Sequence, residues 1–234
     1  MDRNRVLLLG AAAGVALLAV AVVVAFGSGG SGSPTTTAAT STGSGKTEAQ
    51  TIFTGVPQHG DTVGKASAEA TLFVYEDPQC PYCRDWDVET LPTVMRDYVR
   101  TGKLQLVYRG IAIVGPNSVA GLRGNYAAGL QNRLWNMVTA MYERQGEENS
   151  GWITIPVITD AATEAGADPD QVIKDADTAK VTGMLEDAQA DAAAKEINGT
   201  PTFVLQKPLG EPEQLNVTGI DPASFTATLD AALQ

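Results

Sequence analysis

Cys80 and Cys83 are the only cysteines among 234 residues, and they stand one helical turn apart, just after an apolar run. The run, Ala70-Thr-Leu-Phe-Val-Tyr75, is β-branched and aromatic, which predicts a buried strand. From Asp85 to about Thr101, apolar residues recur at helical spacing (Trp86, Val88, Leu91, Val94, Met95, Tyr98, Val99), and Gly102 is a natural stop. Pro92 falls inside that pattern and is expected to kink the helix. Leu104–Tyr108 and Ile111–Val114 read as a second strand, bulged at Gly110. Strand, helix, strand makes a βαβ unit with the cysteine pair at its first strand-to-helix junction.

The following stretch is helical. Ser118 to about Arg144 is one long helical pattern broken near Gly129, and Val157–Ala165, Pro169–Ala176 and Thr178–Ile197 are further helices. Asp168-Pro169 supplies a helix start with proline in the first turn. Strand signals return at Thr202–Leu205 and Gln214–Thr218, and Asp221-Pro222 opens a last helix to about Leu233. The order is therefore β-α-β, a helical block, then β-β-α, an α/β domain.

Three chemistries compete for the cysteine pair. Zinc needs about four ligands, and one distant histidine, His59, does not complete a set. A purely structural bridge across so short a loop restrains the unfolded chain by only ~2 kcal/mol. A redox-active dithiol fits best. At Cys80 the chain enters a helix, whose unpaired N–H groups and dipole stabilise a thiolate. Pro81 suits the first helical turn, and Cys83 lies close enough to bridge Cys80. Exchange would run through a mixed disulfide at Cys80 that Cys83 resolves.

With these residues assembled, the stretch Tyr75-Glu-Asp-Pro-Gln-Cys-Pro-Tyr-Cys-Arg-Asp-Trp86 resembles the active site of the DsbA-like thioredoxin-fold thiol–disulfide oxidoreductases of the bacterial envelope. Leu104–Arg109 is similar to that family's second strand. Asn125–Met137, with Trp135, is similar to a helix of its insertion, and Ile197-Asn-Gly-Thr-Pro-Thr-Phe203 to its cis-proline loop. The resemblance spans about Asp61 to Leu233. It implies a thioredoxin fold with an inserted helical domain at about 116–196. Cys80 is then the attacking cysteine and Cys83 the resolving one, with Pro81 and Tyr82 as the active-site loop. Thr200 and Pro201 form the cis-proline loop that pairs with a client's extended backbone. It also implies oxidation of exported dithiol proteins, no metal or bound cofactor, a monomer, and a membrane quinone-linked oxidase as redox partner. Isomerase, reductase and non-catalytic client-binding readings share the motif. Tyr82 stands where DsbA has a histidine that helps stabilise the thiolate, so Cys80 is expected to be less acidic than there. Thioredoxin-like proteins often bury an acid six residues before the first cysteine. Here that position is Val74; Glu76 and Asp77 lie nearer and read as solvated rim, with proton acceptor as the alternative. Trp86 reads as groove or core, and His59 as surface.

The N-terminal end sets the compartment. Val6 to Phe26 has no charged residue, and as a helix at ~1.5 Å per residue it matches a bilayer core. Arg3 and Arg5 precede it, so one N-terminal transmembrane helix is expected, with residues 1–5 cytoplasmic and the bulk of the chain outside. The rival is a signal peptide cleaved after Ala19-Val-Ala21. Residues 27–50 are Gly/Ser/Thr-rich and read as a flexible linker, leaving 51–234 as the domain. The net charge of −11 argues against nucleic acid as a partner.

Overall fold

A computed structural model describes residues 47–234. The apolar run at 6–26 and most of the expected linker lie outside the described residues. Among the described residues no helix is long and apolar enough to cross a membrane.

The domain begins earlier than the composition suggests. Glu48–Thr51 forms a short helix (α1) with Ala49 fully buried, and the Asn136 side chain donates to the Ala49 carbonyl at 2.5 Å. Its polar sequence merges with the linker by eye, yet a single small apolar residue docks it on the core. Two short strands, β1 (Gln58–His59) and β2 (Thr62–Val63), follow, and β2 pairs antiparallel with β4 (Leu104–Gly110). Two-residue strands carry too few side chains for periodicity to register them.

The centre of the sheet is β3 (Ala70–Glu76), parallel to β4 from Ala70↔Leu104 to Glu76↔Gly110 and antiparallel to β5 (Thr202–Gln206). The full order is β1-β2-β4-β3-β5-β6, with β6 (Glu213–Gln214) at the edge. Both sheet faces are covered, so β3 is apolar almost throughout. Leu72 and Val74 face one core; Tyr75 joins a smaller cluster with Ile111, Ala192, Ile197 and Val204 on the other side. The expected bulge at Gly110 is absent: Gly110 ends β4 in regular register with Glu76, and Ile111–Val114 leaves the sheet. A Cβ there would come within 2.5 Å of Leu122 and 2.6 Å of Tyr108, so glycine serves close packing.

Between β3 and β4 runs α2 (Pro81–Asp85), a π-helical turn at Trp86–Thr90, α3 (Leu91–Val94) and a second π-turn at Met95–Val99. Pro92 has no N–H to donate, and the turn ahead of it widens, with Leu91 N–H reaching the Trp86 carbonyl. The expected kink is thus resolved as a π-turn. Gly102 ends the segment at φ +87° as anticipated. Five helices fill the interval between β4 and β5: α4 (Ser118–Gly129), α5 (Leu134–Tyr142), α6 (Ile155–Ala165), α7 (Pro169–Ala176) and α8 (Ala179–Ala194). Asp168 and Thr178 cap α7 and α8 through their side chains. Helix α9 (Pro222–Ala232), capped by Asp221, closes the chain. Of the expected strand at Gln214–Thr218 only β6 forms. This is a thioredoxin fold carrying a helical insertion.

Candidate active site

Strand β3 ends at Glu76 and the chain turns within four residues into α2. Asp77 holds that turn. It is buried, and its Oδ1 accepts from Gln79 N–H (2.8 Å) and the Ser118 hydroxyl (2.6 Å). Its Oδ2 accepts from the N–H groups of Ile113 (2.7 Å) and Val114 (2.8 Å). One carboxylate therefore joins the cysteine loop to the start of the insertion. Gln145 adds a clamp, its amide donating to the Pro78 and Cys80 carbonyls at 3.0 Å each.

Cys80 is the N-cap of α2, and both cysteines are free thiols. Cys83 N–H donates to the Cys80 sulfur at 3.3 Å, and that sulfur lies 3.3 Å from the Thr200 carbonyl oxygen. The Cys80 thiol is lowered to about 6. The main cause is the Cys83 thiol donating to it. Burial opposes, and Thr200 and the backbone N–H groups of Cys83 and Tyr82 add to the lowering. Cys83 is treated oppositely: it has no exposed surface, and burial first, then the Cys80 contact and the Glu76 charge, push its thiol well up. Pro81 and Tyr82 are exposed beside the pair, Tyr82 by 65%.

Thr200 and Pro201 are joined by a cis peptide bond and lie directly before β5. An aromatic cluster fixes this loop relative to the cysteine helix. Trp86 sits 5.1 Å from Phe203 and 5.6 Å from Phe225, and the two phenylalanines are 4.6 Å apart. Trp86, left between groove and core by its sequence, belongs to the core. The structure thus gathers Cys80, Pro81, Tyr82, Cys83, Thr200 and Pro201 around one point. His59 lies on β1, exposed.

The reading of Glu76 and Asp77 as solvated rim is overturned: both are fully buried. β3 ends under the insertion, and solvent never reaches its last residue. Glu76 has no hydrogen-bond partner for either carboxylate oxygen. Burial first, then the charges of Asp87 and Cys80, raise it well above the usual carboxylate range. Asp87 was missed in the sequence. It is also buried, accepts one hydrogen bond from the Thr139 hydroxyl at 3.2 Å, and leaves its Oδ1 unpartnered. Burial raises it to about 8. Its signal was an acid four residues after Cys83, on the same buried helix face.

With the geometry defined, likeness to known proteins can be placed. Residues 58–215 match the family model described as "Thioredoxin". The chain belongs to the thioredoxin family. A relative, "Probable disulfide bond formation protein D" of Bacillus cereus, is 25% identical over 156 residues, covering 65% of this chain and 72% of that protein. Among solved structures, oxidised BdbD from Bacillus subtilis superposes with a TM-score of 0.65 at 17% identity, covering 76% of this chain and 97% of the other. Pseudomonas aeruginosa DsbA2 gives 0.56 at 21% identity, covering 76% and 96%. The fold is therefore DsbA-like, insertion included.

Proposed function

We propose that this protein is an extracytoplasmic thiol–disulfide oxidoreductase that oxidises dithiols of exported proteins through Cys80 and Cys83. The observation that carries the reading is the asymmetry of the two sulfurs. Cys80 sits at a helix N-terminus, lowered to about 6, and Cys83 is buried one turn behind it with its proton held firmly. A thiol at about 6 is ionised about ten to one at pH 7. Stabilising that thiolate stabilises the dithiol form, which makes the disulfide form a good acceptor of electrons. The name of the Bacillus cereus relative supports the same direction.

In the oxidised protein a client thiolate attacks the Cys80 sulfur. The Cys80–Cys83 bond breaks, and Cys83 leaves with the electron pair and takes a proton. A second client thiolate then attacks the client sulfur of the mixed disulfide, and Cys80 leaves as its stabilised thiolate. The client has lost two electrons and the pair has gained them. Thr200 and Pro201 border the sulfur and form the edge on which an extended client backbone lies. Tyr82 offers an exposed aromatic face at the same rim. Residues 6–26 tether a monomeric domain outside the membrane, where a quinone-linked oxidase restores the disulfide.

A Cys83→Ala variant tests the exchange. It should accumulate mixed disulfides between Cys80 and exported proteins, visible on non-reducing gels and lost in the Cys80→Ser variant. A variant that captures nothing would sink the mechanism. The direction is tested by adding the oxidised domain to a reduced, unfolded dithiol protein and following its thiol titre.

A further inference from the structure

Asn198-Gly199 is the one Asn-Gly pair in the sequence, and it stands immediately before Thr200 and its cis bond to Pro201. An asparagine followed by glycine is open to a reaction of its own. The backbone nitrogen of the glycine attacks the side-chain carbonyl carbon, a C–N bond forms, and ammonia leaves. Water then opens the cyclic imide at one of its two carbonyls. One opening gives aspartate; the other gives isoaspartate, whose backbone runs through the side-chain carbon and is one atom longer. Glycine permits the ring because it has no Cβ to restrict the approach of its nitrogen.

Three features open Asn198 to this chemistry. It is exposed, and among the described residues its side chain makes no hydrogen bond. The Gly199 N–H has no acceptor among them either, so the attacking nitrogen is not held away. The space at Gly199 is empty: a Cβ built there would meet nothing within 4 Å. The anchors lie on either side. Ile197 N–H donates to the Ala192 carbonyl at 2.9 Å, and the Thr202 hydroxyl donates to the Gly199 carbonyl at 2.8 Å. The other exposed asparagines with a polar follower are guarded. Asn132 and Asn149 precede Arg133 and Ser150, whose N–H groups are spent on the Ala128 and Glu147 carbonyls. We propose that Asn198 is a site of spontaneous deamidation, and that its conversion to aspartate or isoaspartate detunes the cysteine pair through Thr200.

Thr200 connects the modified residue to the sulfur. Its carbonyl oxygen lies 3.3 Å from the Cys80 sulfur, and its side chain helps lower the Cys80 thiol. Two residues of chain put the Asn198 and Thr200 Cα atoms within about 8 Å of each other. A carboxylate at 198 is therefore inside a Debye length of that residue, and a negative charge so placed disfavours a nearby thiolate. Isoaspartate also inserts one backbone atom between Ile197 and Gly199, which shifts Thr200 relative to the sulfur it supports. The charge and the shift both move the Cys80 thiol up, towards that of an ordinary cysteine. The conversion consumes one water and releases one ammonia. It changes no oxidation state, so it proceeds whether the cysteine pair is oxidised or reduced.

The test ages the full-length protein in warm, mildly alkaline buffer. Peptide mapping reads the amide-to-acid conversion, enzymatic methylation reads isoaspartate, and thiolate absorbance after reduction reads the Cys80 midpoint. Expected is conversion at Asn198 with Asn149 left intact, and a midpoint that rises as conversion proceeds. Gly199→Ala is the control: the space is open and Gly199 is not in the left-handed region, so alanine fits. It should slow conversion about tenfold or more and hold the midpoint constant during ageing. Asn198→Asp should show a raised midpoint without ageing. No conversion at Asn198, or equal conversion at Asn149, overturns the site. Conversion with a midpoint that stays constant or falls overturns the detuning. Neither readout uses a client, so a failure of the exchange reading is seen separately from a failure here.

Discussion

Raising the pH through 6 should change how many protons the cysteine pair takes up on reduction. The Cys80 thiol is lowered from 9.0 to about 6, whereas Cys83 is pushed well above its ordinary value. Below about pH 6 both sulfurs bind a proton when the disulfide is reduced, so the potential falls by about 59 mV per pH unit. Above it only Cys83 does, and the slope halves to about 30 mV. At pH 7 the lowered thiol favours the dithiol form by about 1.4 kcal/mol over an ordinary thiol, or about 30 mV, and solvent at the rim screens part of this. The sign follows from linkage. A depressed value stabilises the folded dithiol form fully above the unfolded thiol's range, and that stability is lost as pH falls through about 6. The assay is equilibration of the domain with glutathione buffers from about pH 5 to about pH 8.5, reading the fraction oxidised. A single slope of about 59 mV across the whole range would show that Cys80 keeps its proton, and the account of the helix N-terminus would fail.

Two substitutions probe the parts around that sulfur. Asp77→Ala leaves the Gln79, Ile113 and Val114 N–H groups and the Ser118 hydroxyl without their acceptor, and should cost at least about 3 kcal/mol in urea unfolding. A loss under about 1 kcal/mol would mean that solvent or backbone rearrangement replaces those bonds. Thr200→Val removes a side chain that helps lower the Cys80 thiol, so the midpoint of thiolate absorbance near 240 nm should move up; a midpoint moving down would refute the contact's role.

The sequence made the frame of this site legible because its signals are local. An apolar run, Cys-Pro-Tyr-Cys at a helix start and Thr-Pro before a second run each reflect constraints within a few residues. The structure then brings Cys80 within 3.3 Å of the Thr200 carbonyl across 120 positions of chain. What escaped notice depends on the third dimension. Glu76 and Asp77 look like rim because acids normally seek water, and only the insertion packed over the end of β3 buries them. Asp87 stands at helical spacing from buried Cys83 and Leu91, but an acid at such a position reads as solvated until the elements packed over it are known. Helix α1 was hidden for the opposite reason: its four residues differ little in composition from a linker.

Glu76 and Asp77 are neighbours in sequence, equally buried, and held in contrary ways. Asp77 accepts four hydrogen bonds and has no unmet oxygen. Glu76 accepts none. A buried carboxyl with no partner is destabilising, and its raised titration range means that stability is lost as the pH rises and the group is forced to ionise. Asp87, raised to about 8, acts in the same direction. Cys80 acts in the other, adding stability to the dithiol form as the pH rises. A domain selected for stability alone would have an apolar residue at position 76, as it does two residues earlier at Val74, which is fully buried on the same strand. Glu76 stays where stability argues against it, and its charge is one of the causes that push the buried Cys83 thiol up. Asp77 builds the turn that presents Cys80, whereas Glu76 and Asp87 lie buried behind it without a full set of hydrogen bonds.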